Sequence, residues 1–359
     1  MSEPFIAALC ERIRDHAARK APLAVRGGGT KDFYGHGPVG EVLDMKPYAG
    51  IVAYEPKELV VTVRAGTRLV DLESALAAER QMLAFEPPHF GEGATIGGAV
   101  AVGLSGPRRP YAGSLRDFVL GTRVVNGKGE DLAFGGRVIK NVAGYDVSRL
   151  MAGALGTLGV ITEISFKVLP RPAHETTLAF ELDEGRATEQ VNRWAGQPLP
   201  LSATAWESGK LRARLSGAAS AVAAAKARMG GEEIDAGSYW GDLREQRIAF
   251  FAPSRPLWRL AVPQTAAPMA QAHAQLVEWG GGVRWINGDA DAASLRAEAA
   301  RAGGHATLFR GGDKSVGVFH PLEPAVMKIH RRLKDAFDPA GILNPGRMYA
   351  FQKFVSGTK

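Results

Sequence analysis

Glycine is gathered into three separated segments in the first half of this 359-residue chain, and no other feature limits its fold as much. The first is the run Gly27-Gly28-Gly29, set between Arg26 and Thr30. Glycine loses more backbone freedom on folding than any other residue, so an ordered glycine run persists only where side chains would obstruct. Either the backbone turns through positive φ, or something large lies against its N–H groups. The run closes a short β-like stretch, PLAVRG. Successive unhindered amides in such a loop can form an anion-binding concavity, to which Arg26 or Lys31 would add charge. A plain glycine-rich turn fits the same residues. The second segment, EPPHFGEGATIGGAVAVGLSG (86–106), leads into a helix of alanine, valine and glycine. A helix with so little side chain can approach a flat ligand, its N-terminal amides favouring negative charge, or it can pack tightly on another backbone. The third segment, GYDVSRLMAGALGTLGVITE (144–163), passes from small residues into a strand. None of the three is a P-loop, and none has the G-x-G-x-x-G spacing of a Rossmann strand–turn–helix. Three such segments in one half suit one extended ligand with a diphosphate, and Ile96, Val160 and Ile161 suit an aromatic ring system.

Composition excludes several classes. With 45% hydrophobic and 23% charged residues the chain is globular, and long enough for two or three domains. Its one cysteine, Cys10, excludes an internal disulfide and a protein-held iron–sulfur cluster, which needs several thiolates, and points to the cytosol. The first twenty residues place Phe5, Leu9 and Ile13 at helical spacing and do not read as a signal peptide. No apolar run approaches the roughly 18 residues of a membrane span. The net charge is +7, but the bases are dispersed and aromatics are only 8%. The charge therefore reads as a solvated surface plus an anionic ligand or partner, not nucleic acid.

The first half reads as short strands (PLAVRG, EVLDM, IVAYEP, LVVTVRAGT), a helix over 68–81 with Leu69, Leu72 and Leu76 on one face, and a strand in LAFEPPH. FVLGTRVVNGKGEDLAF reads as a hairpin turning at Asn126-Gly127. After PRP (170–172) the composition changes. Strands in TLAFEL, ATAW and LRARLS alternate with helices in ATEQVNRWA, in the alanine-rich 217–231 and in MAQAHAQLVEWG. A last helix, EPAVMKIHRRLKDAF, precedes DPAGILNPGRMY.

RGGGT, ATIGG and YDVSRLMAGALGTLGVITE, in that order and spacing, resemble the FAD-binding domain shared with vanillyl-alcohol and para-cresol oxidases. FDPAGILNPGRMY resembles the tail of the same flavin dehydrogenases. RGGGTKDFYG, KNVAGYDVSRL and NPGRMY are most similar to the smaller flavin subunits of bacterial glycolate oxidases. The likeness covers residues 20–172 and 320–359. It implies an α+β fold: a two-subdomain FAD-binding domain over 1–172, an α+β cap that meets substrate or partner over 173–320, and a C-terminal helix and tail over 321–359 packing back on the first domain. By the same resemblance FAD is held by Arg26, Gly27, Gly28, Gly29 and Thr30 at the diphosphate. A second loop contributes Pro87, Thr95, Ile96, Gly97, Gly98, Ser105 and Gly106. Gly113, Ser114 and Asp117 follow, with Arg116 beside the last. Gly156, Gly159, Val160 and Ile161 complete the flavin contact. Some relatives tether FAD through a histidine where this chain has Thr30, so the attachment is expected to be non-covalent.

The resemblance also implies an FAD-binding subunit of a glycolate (2-hydroxy-acid) dehydrogenase complex. Glycolate is oxidised to glyoxylate and electrons pass to an iron–sulfur subunit and a quinone. The implied partners are the larger flavin subunit, the iron–sulfur subunit and a small hydroxy acid. The implied setting is cytoplasmic, with any membrane association supplied by a partner subunit. The chain departs from its relatives where they carry a histidine-rich metal motif like H-x-G-D-G-N-x-H. Here GGHATLFRGGDKSVGVFH (303–320) retains only His305 and His320, so no metal is assigned, and no catalytic residue either. A non-catalytic FAD-containing scaffold and a stand-alone flavin alcohol oxidase remain as alternatives. Tyr145, Asp146 and Arg149 suit either a flavin or carboxylate contact or a structural turn. His89 suits an approach to the flavin or a surface loop. Asn344 and Arg347 suit a return to the flavin side or a packing tail.

Overall fold

The computed structural model describes residues 2–136, 145–252, 255–270 and 273–351. Residues 137–144, which include the first five of the KNVAGYDVSRL segment (140–150), lie outside them.

Two sheets organise the molecule. The first is antiparallel and draws on β3 (Ile51–Glu55), β4 (Val60–Arg64), β6 (Val119–Asn126), β7 (Asp131–Gly135) and β8 (Gly159–Lys167), in the order β3-β4-β8-β6-β7. Beside it, β1 (Leu23–Arg26) and β2 (Glu41–Asp44) form a small parallel pair. The N-terminal helix α1 (Ser2–Arg19) buries Leu9 and Ile13 against this pair, and Phe5 stacks on Tyr48 at 4.8 Å. Helix α2 (Leu69–Ala78) turns Leu69, Leu72 and Leu76 inward. Each contributes about 2 kcal/mol through burial, and together they pack on Val61, Val63, Phe85 and Ile164. Helix α3 (Ile96–Val102) is capped by the Thr95 hydroxyl and stopped by Gly103 at φ +70°.

LAFEPPH (83–89) does not form the expected strand: the short β5 (Gln81–Met82) ends just before it and pairs with β9 (Leu169–Pro170). The expected hairpin is β6–β7, but its loop is longer than the two-residue turn expected at Asn126-Gly127. The positive φ falls at Gly129 (+70°), and Asn126 Oδ1 accepts from the amides of Lys128 and Glu130. Gly127 is needed because Asp338 of the tail lies against it; a Cβ there would sit 2.3 Å from Oδ1.

The second sheet takes β10 (His174–Glu181), β11 (Leu201–Glu207), β12 (Lys210–Gly217), β13 (Glu232–Ile234), β14 (Leu257–Ala261), β15 (Ala274–Glu278), β16 (Val283–Asn287) and β17 (His305–Arg310), in the order β13-β10-β12-β11-β15-β16-β14-β17. All its pairings are antiparallel. Strand β15 lies within MAQAHAQLVEWG, which reads as helix from its alanine and glutamine. Pairing between β11 and β16 overrides that preference, because residues 274–278 complete two ladders at once. One face of the sheet buries Trp258, Leu260, Ile286 and Leu308 beneath the helix Ala292–Arg301, which turns Leu295 and Ala299 onto them. The other face packs Trp285 and Phe309 against Phe33, Tyr34, Phe90 and Leu104 of the first half, forming the joint between the two sheets.

Polar contacts cross this joint as well. Lys314 Nζ donates to the carbonyls of Phe33 and Gly35, each at 2.7 Å. Glu86 accepts from Arg108 (3.2 Å) and from the buried Arg214 (2.8 Å). Glu245 receives the amides of His89 and Phe90. From the last helix, Pro324–Phe337, the tail returns to the first half. Leu343 bridges to Leu23 in parallel, and Asn344 Oδ1 accepts from the Val25 amide at 2.8 Å. Among the described residues no helix is long and apolar enough to cross a membrane.

Candidate functional site

All three glycine segments open onto one cleft, which holds about 730 Å³ of space free of protein atoms, its open mouth included. Of the residues singled out from the sequence, Arg26, Gly27, Gly28, Gly29, Thr30, Thr95, Gly97, Gly98, Gly156, Gly159 and Ile161 line it. The tail adds Asn344 and Arg347 to its wall.

The local chemistry explains the glycine run. A Cβ on Gly27 would lie 2.1 Å from Thr95 Oγ1, and one on Gly28 would lie 1.5 Å from the carbonyl oxygen of Gly93. Real Cβ atoms do not approach so closely, so the first loop can seat itself on the second only if both residues are glycine. Gly29 has φ +72°, where glycine alone is unstrained. The glycines therefore serve the contact between the two loops, with their missing side chains aimed at protein. Among the described residues the amides of Gly27, Gly28, Gly29 and Thr30 have no hydrogen-bond partner.

Cations surround these amides. Arg26 pairs with Asp32 at 2.7 Å. Lys31 is buried, its Nζ donating to the His89 carbonyl at 3.0 Å and to Thr30 Oγ1 at 3.3 Å. Burial lowers its pKa to about 8, opposed by the Glu245 charge, so the ammonium persists at neutral pH. Arg347 donates to the carbonyls of Asp32, at 3.2 Å, and His36. Free amides, buried positive charge and a floor of glycine and alanine form a donor set that fits a diphosphate and a flat ring.

Of the uses that the sequence left open for helix α3, the structure favours tight packing over anion binding by its amides. Its first amides are taken within the protein: Ile96 N donates to Thr67 O, Gly97 N to Ala65 O and Gly98 N to Thr95 Oγ1. They are not free to meet an anion. Its small residues instead allow close packing, since a Cβ on Gly97 would lie 2.7 Å from that of Ala65.

A second, larger cavity, about 1760 Å³ with its open mouth included, opens between the sheets and meets the first at Val102, which lines both. Ser105, Gly113, Ser114 and Asp117 line this one, together with Arg116. Asp117 is occupied locally, accepting from the Ser114 amide (2.8 Å) and hydroxyl (2.7 Å). Pro87, Ile96, Gly106 and Val160 are buried and line neither cavity. For Val160 the reason is strand alternation: Gly159 and Ile161 face the cleft, and Val160 faces the cluster beneath α1.

Asp146 caps the helix Val147–Met151 and pairs with Arg149 at 3.1 Å, while Tyr145 is 96% exposed; this is a surface turn. His89 lies 3.0 Å from Glu73 and lines neither cavity. His305 lines the larger cavity, and His320 Nδ1 accepts from the Ala306 amide at 3.4 Å. Among the described residues no three His, Cys, Asp or Glu side chains gather closely enough to hold a metal ion. Sequence reasoning passed over Arg259, Trp279 and Tyr34 on the larger cavity. The available signal was an arginine inside the apolar strand LWRLA.

Comparison with known proteins follows the same lines. The family described as FAD binding domain matches residues 6–135, and that described as FAD linked oxidases, C-terminal domain, matches residues 320–348. The chain is 48% identical over 343 residues to the glycolate oxidase subunit GlcE of Escherichia coli (strain K12), covering 96% of this chain and 97% of that one. It is 36% identical to the glycolate oxidase subunit GlcD of Bacillus subtilis (strain 168) over 162 residues, 44% of this chain and 34% of the other. In fold it is similar to p-cresol methylhydroxylase with substrate bound, with a TM-score of 0.73 and 17% identity over 97% of this chain and 88% of that one.

Proposed function

Because this chain belongs to the FAD-linked oxidase family that includes the glycolate oxidase subunit GlcE, we propose that it is the FAD-binding subunit of a glycolate (2-hydroxy-acid) dehydrogenase complex. In this reading glycolate becomes glyoxylate, and electrons leave through an iron–sulfur subunit to a quinone. The observation that carries it is relatedness over nearly the whole chain, joined to a cleft onto which all three glycine segments open.

FAD is the cofactor of this chain; when bound, it supplies the redox chemistry. The protein's part is to bind and orient. The free amides of Gly27, Gly28, Gly29 and Thr30, with Lys31 beneath them, would hold the diphosphate. Gly97, Gly98, Gly156, Gly159 and Ile161 would form the small-residue wall along the cofactor. Ser105, Gly113, Ser114 and Asp117 would continue it into the larger cavity. Thr30 spends its hydroxyl on the His89 carbonyl at 2.8 Å, which supports a non-covalent attachment. With Cys10 the only cysteine, the iron–sulfur centre would belong to a partner, and the larger flavin subunit is the second partner. We assign the complex to the cytoplasm, any membrane attachment running through a partner.

A second reading has this chain as a scaffold whose FAD maintains its shape while the larger subunit oxidises substrate. The absence of a gathered metal-ligand group among the described residues favours it. The visible spectrum under anaerobic glycolate separates the two. A flavin in the isolated chain that bleaches makes it a dehydrogenase in its own right. Bleaching only with the partners present makes it a relay within the complex. A flavin that never bleaches in a complex turning over glycolate supports the scaffold, and a chain without flavin overturns both.

A further inference from the structure

The larger cavity contains positive charge that no carboxylate of the described residues meets in direct contact; Glu278 and Asp117 act on Arg259 and Arg109 only from farther off. Arg109, Arg116 and Arg259 line it, and its one lining carboxylate, Asp117, is held by Ser114. Arg259 lies at the centre of β14, opposite Trp285 on β16 and Thr307 on β17. Among the described residues it has neither a hydrogen bond nor a carboxylate within 4.0 Å. Its neighbours are aromatic: the guanidinium lies 4.9 Å from the centre of the Trp279 ring and 5.9 Å from that of Trp285. Arg109, from the opposite side of the joint, also lies against Trp279, at 4.4 Å, and likewise has no acidic partner among the described residues.

Both indoles are fixed. Trp279 Nε1 donates to the Gly106 carbonyl at 3.1 Å, and Trp285 Nε1 to Glu278 at 2.7 Å. Stacking on aromatic faces holds a guanidinium in orientation while leaving its in-plane N–H fork free. A charge so enclosed is costly unless an anion meets it, and the fork matches a carboxylate in geometry. Tyr34 lines the same cavity, its ring set by Phe309 at 5.2 Å and Phe319 at 5.5 Å.

We infer that Arg259, supported by Arg109 across Trp279, anchors the carboxylate of a short 2-hydroxy acid or its 2-oxo product in the larger cavity. The identity of the acid rests on the dehydrogenase reading above; the demand for an anion comes from the unpaired guanidinium groups. The site belongs to this chain and does not depend on a metal.

The test is equilibrium binding to the full FAD-loaded chain, read by calorimetry and by indole fluorescence. Oxalate is the non-oxidisable probe, and glycolamide is the neutral counterpart of glycolate. Oxalate is expected to bind and to perturb the fluorescence, and glycolamide is not. Arg259→Gln is expected to weaken oxalate binding roughly 30-fold or more at unchanged FAD content, with Arg259→Lys intermediate. Unchanged affinity in Arg259→Gln, or equal binding of oxalate and glycolamide to the unaltered chain, would overturn the inference. Should Arg259→Gln fail to fold, Arg109→Gln and the oxalate–glycolamide comparison decide it by the same criteria. Oxalate binding that depends on Arg259 in a chain whose flavin glycolate never reduces would sustain the anion site and sink the dehydrogenase reading. Flavin reduction by glycolate with unaltered half-saturation in Arg259→Gln would do the reverse.

Discussion

At Gly28 a single methyl group is enough to separate two loops. The nearest atom to a Cβ there is a backbone carbonyl, 1.5 Å away, and backbone cannot rotate aside as a side chain can. Gly28→Ala is expected to cost about 3 kcal/mol and to lower the flavin absorbance of the purified protein severalfold; an unchanged flavin-to-protein ratio would refute the role given to the loop contact. At Thr30 the hydroxyl has no chemistry for a flavin bond, so trichloroacetic acid should leave the yellow colour in the supernatant, whereas a yellow pellet would contradict the non-covalent attachment. Glu278 is enclosed beneath the joint, and burial pushes its pKa up from 4.5 to about 7, partly offset by the Trp285 N–H and by Arg259. Between those two values the native state holds a proton that the unfolded chain has released. Stability therefore falls as pH rises across that window, by about 3 kcal/mol from this group. Glu278→Gln keeps an acceptor for Trp285 and should flatten that part of the stability profile in urea titrations; an identical profile would show that Glu278 is ionised throughout.

Among the elements, the C-terminal helix matters for how it ends. Lys334 Nζ donates to Asp338 Oδ2 (2.6 Å), to Thr157 O (2.7 Å) and to Leu343 O (2.9 Å), all out of solvent. Asp338 in turn receives the amides of Ile342 and Leu343. This knot turns the chain so that Asn344 and Arg347 reach the cleft wall. Lys334→Met would leave the Asp338 carboxylate buried without its counter-charge, a loss of about 3–5 kcal/mol. The variant is expected to show a lower urea midpoint and earlier proteolytic trimming of the tail. Wild-type resistance at the tail would mean that the Leu343 bridge to Leu23 and the Asn344 contacts hold it alone.

For the molecule as a whole, the two sheets act together because charge and aromatic packing cross between them. Glu86 is the centre of the charged part, with Arg108 and the buried Arg214 both on its Oε1. Removing it leaves Arg214, which burial already disfavours as an ion, with only the more distant Glu175 at 3.8 Å for a counter-charge among the described residues. Glu86→Ala is therefore expected to cost about 3–5 kcal/mol and to divide a single calorimetric transition into two, one for each sheet. A single transition at the original temperature would mean that the aromatic joint around Phe33, Tyr34 and Phe309, with Lys314 across it, is sufficient. Since the larger cavity is lined from both sides of this joint, any capture of a carboxylate between Arg109 and Arg259 depends on the two halves remaining together.

The chain by itself determined the positions of backbone exposure. Glycine runs, the amphipathic faces of α1 and α2 and the β-branched alternation are local properties, legible because sterics and helical or strand periodicity act between near neighbours. They were enough to indicate the glycine loops and most of the elements; the family followed from the resemblance of the RGGGT, ATIGG and NPGRMY motifs to known flavoproteins. Tertiary structure decided what each exposed backbone meets. It set Gly27 and Gly28 against the second loop, spent the first amides of α3 inside the protein, and drew residues 274–278 into a sheet despite their helix-like composition. It also brought Arg109 and Arg259, 150 residues apart in the numbering, onto one indole ring. Such contacts depend on pairing between distant segments, and an isolated stretch of sequence carries no record of what will pack against it.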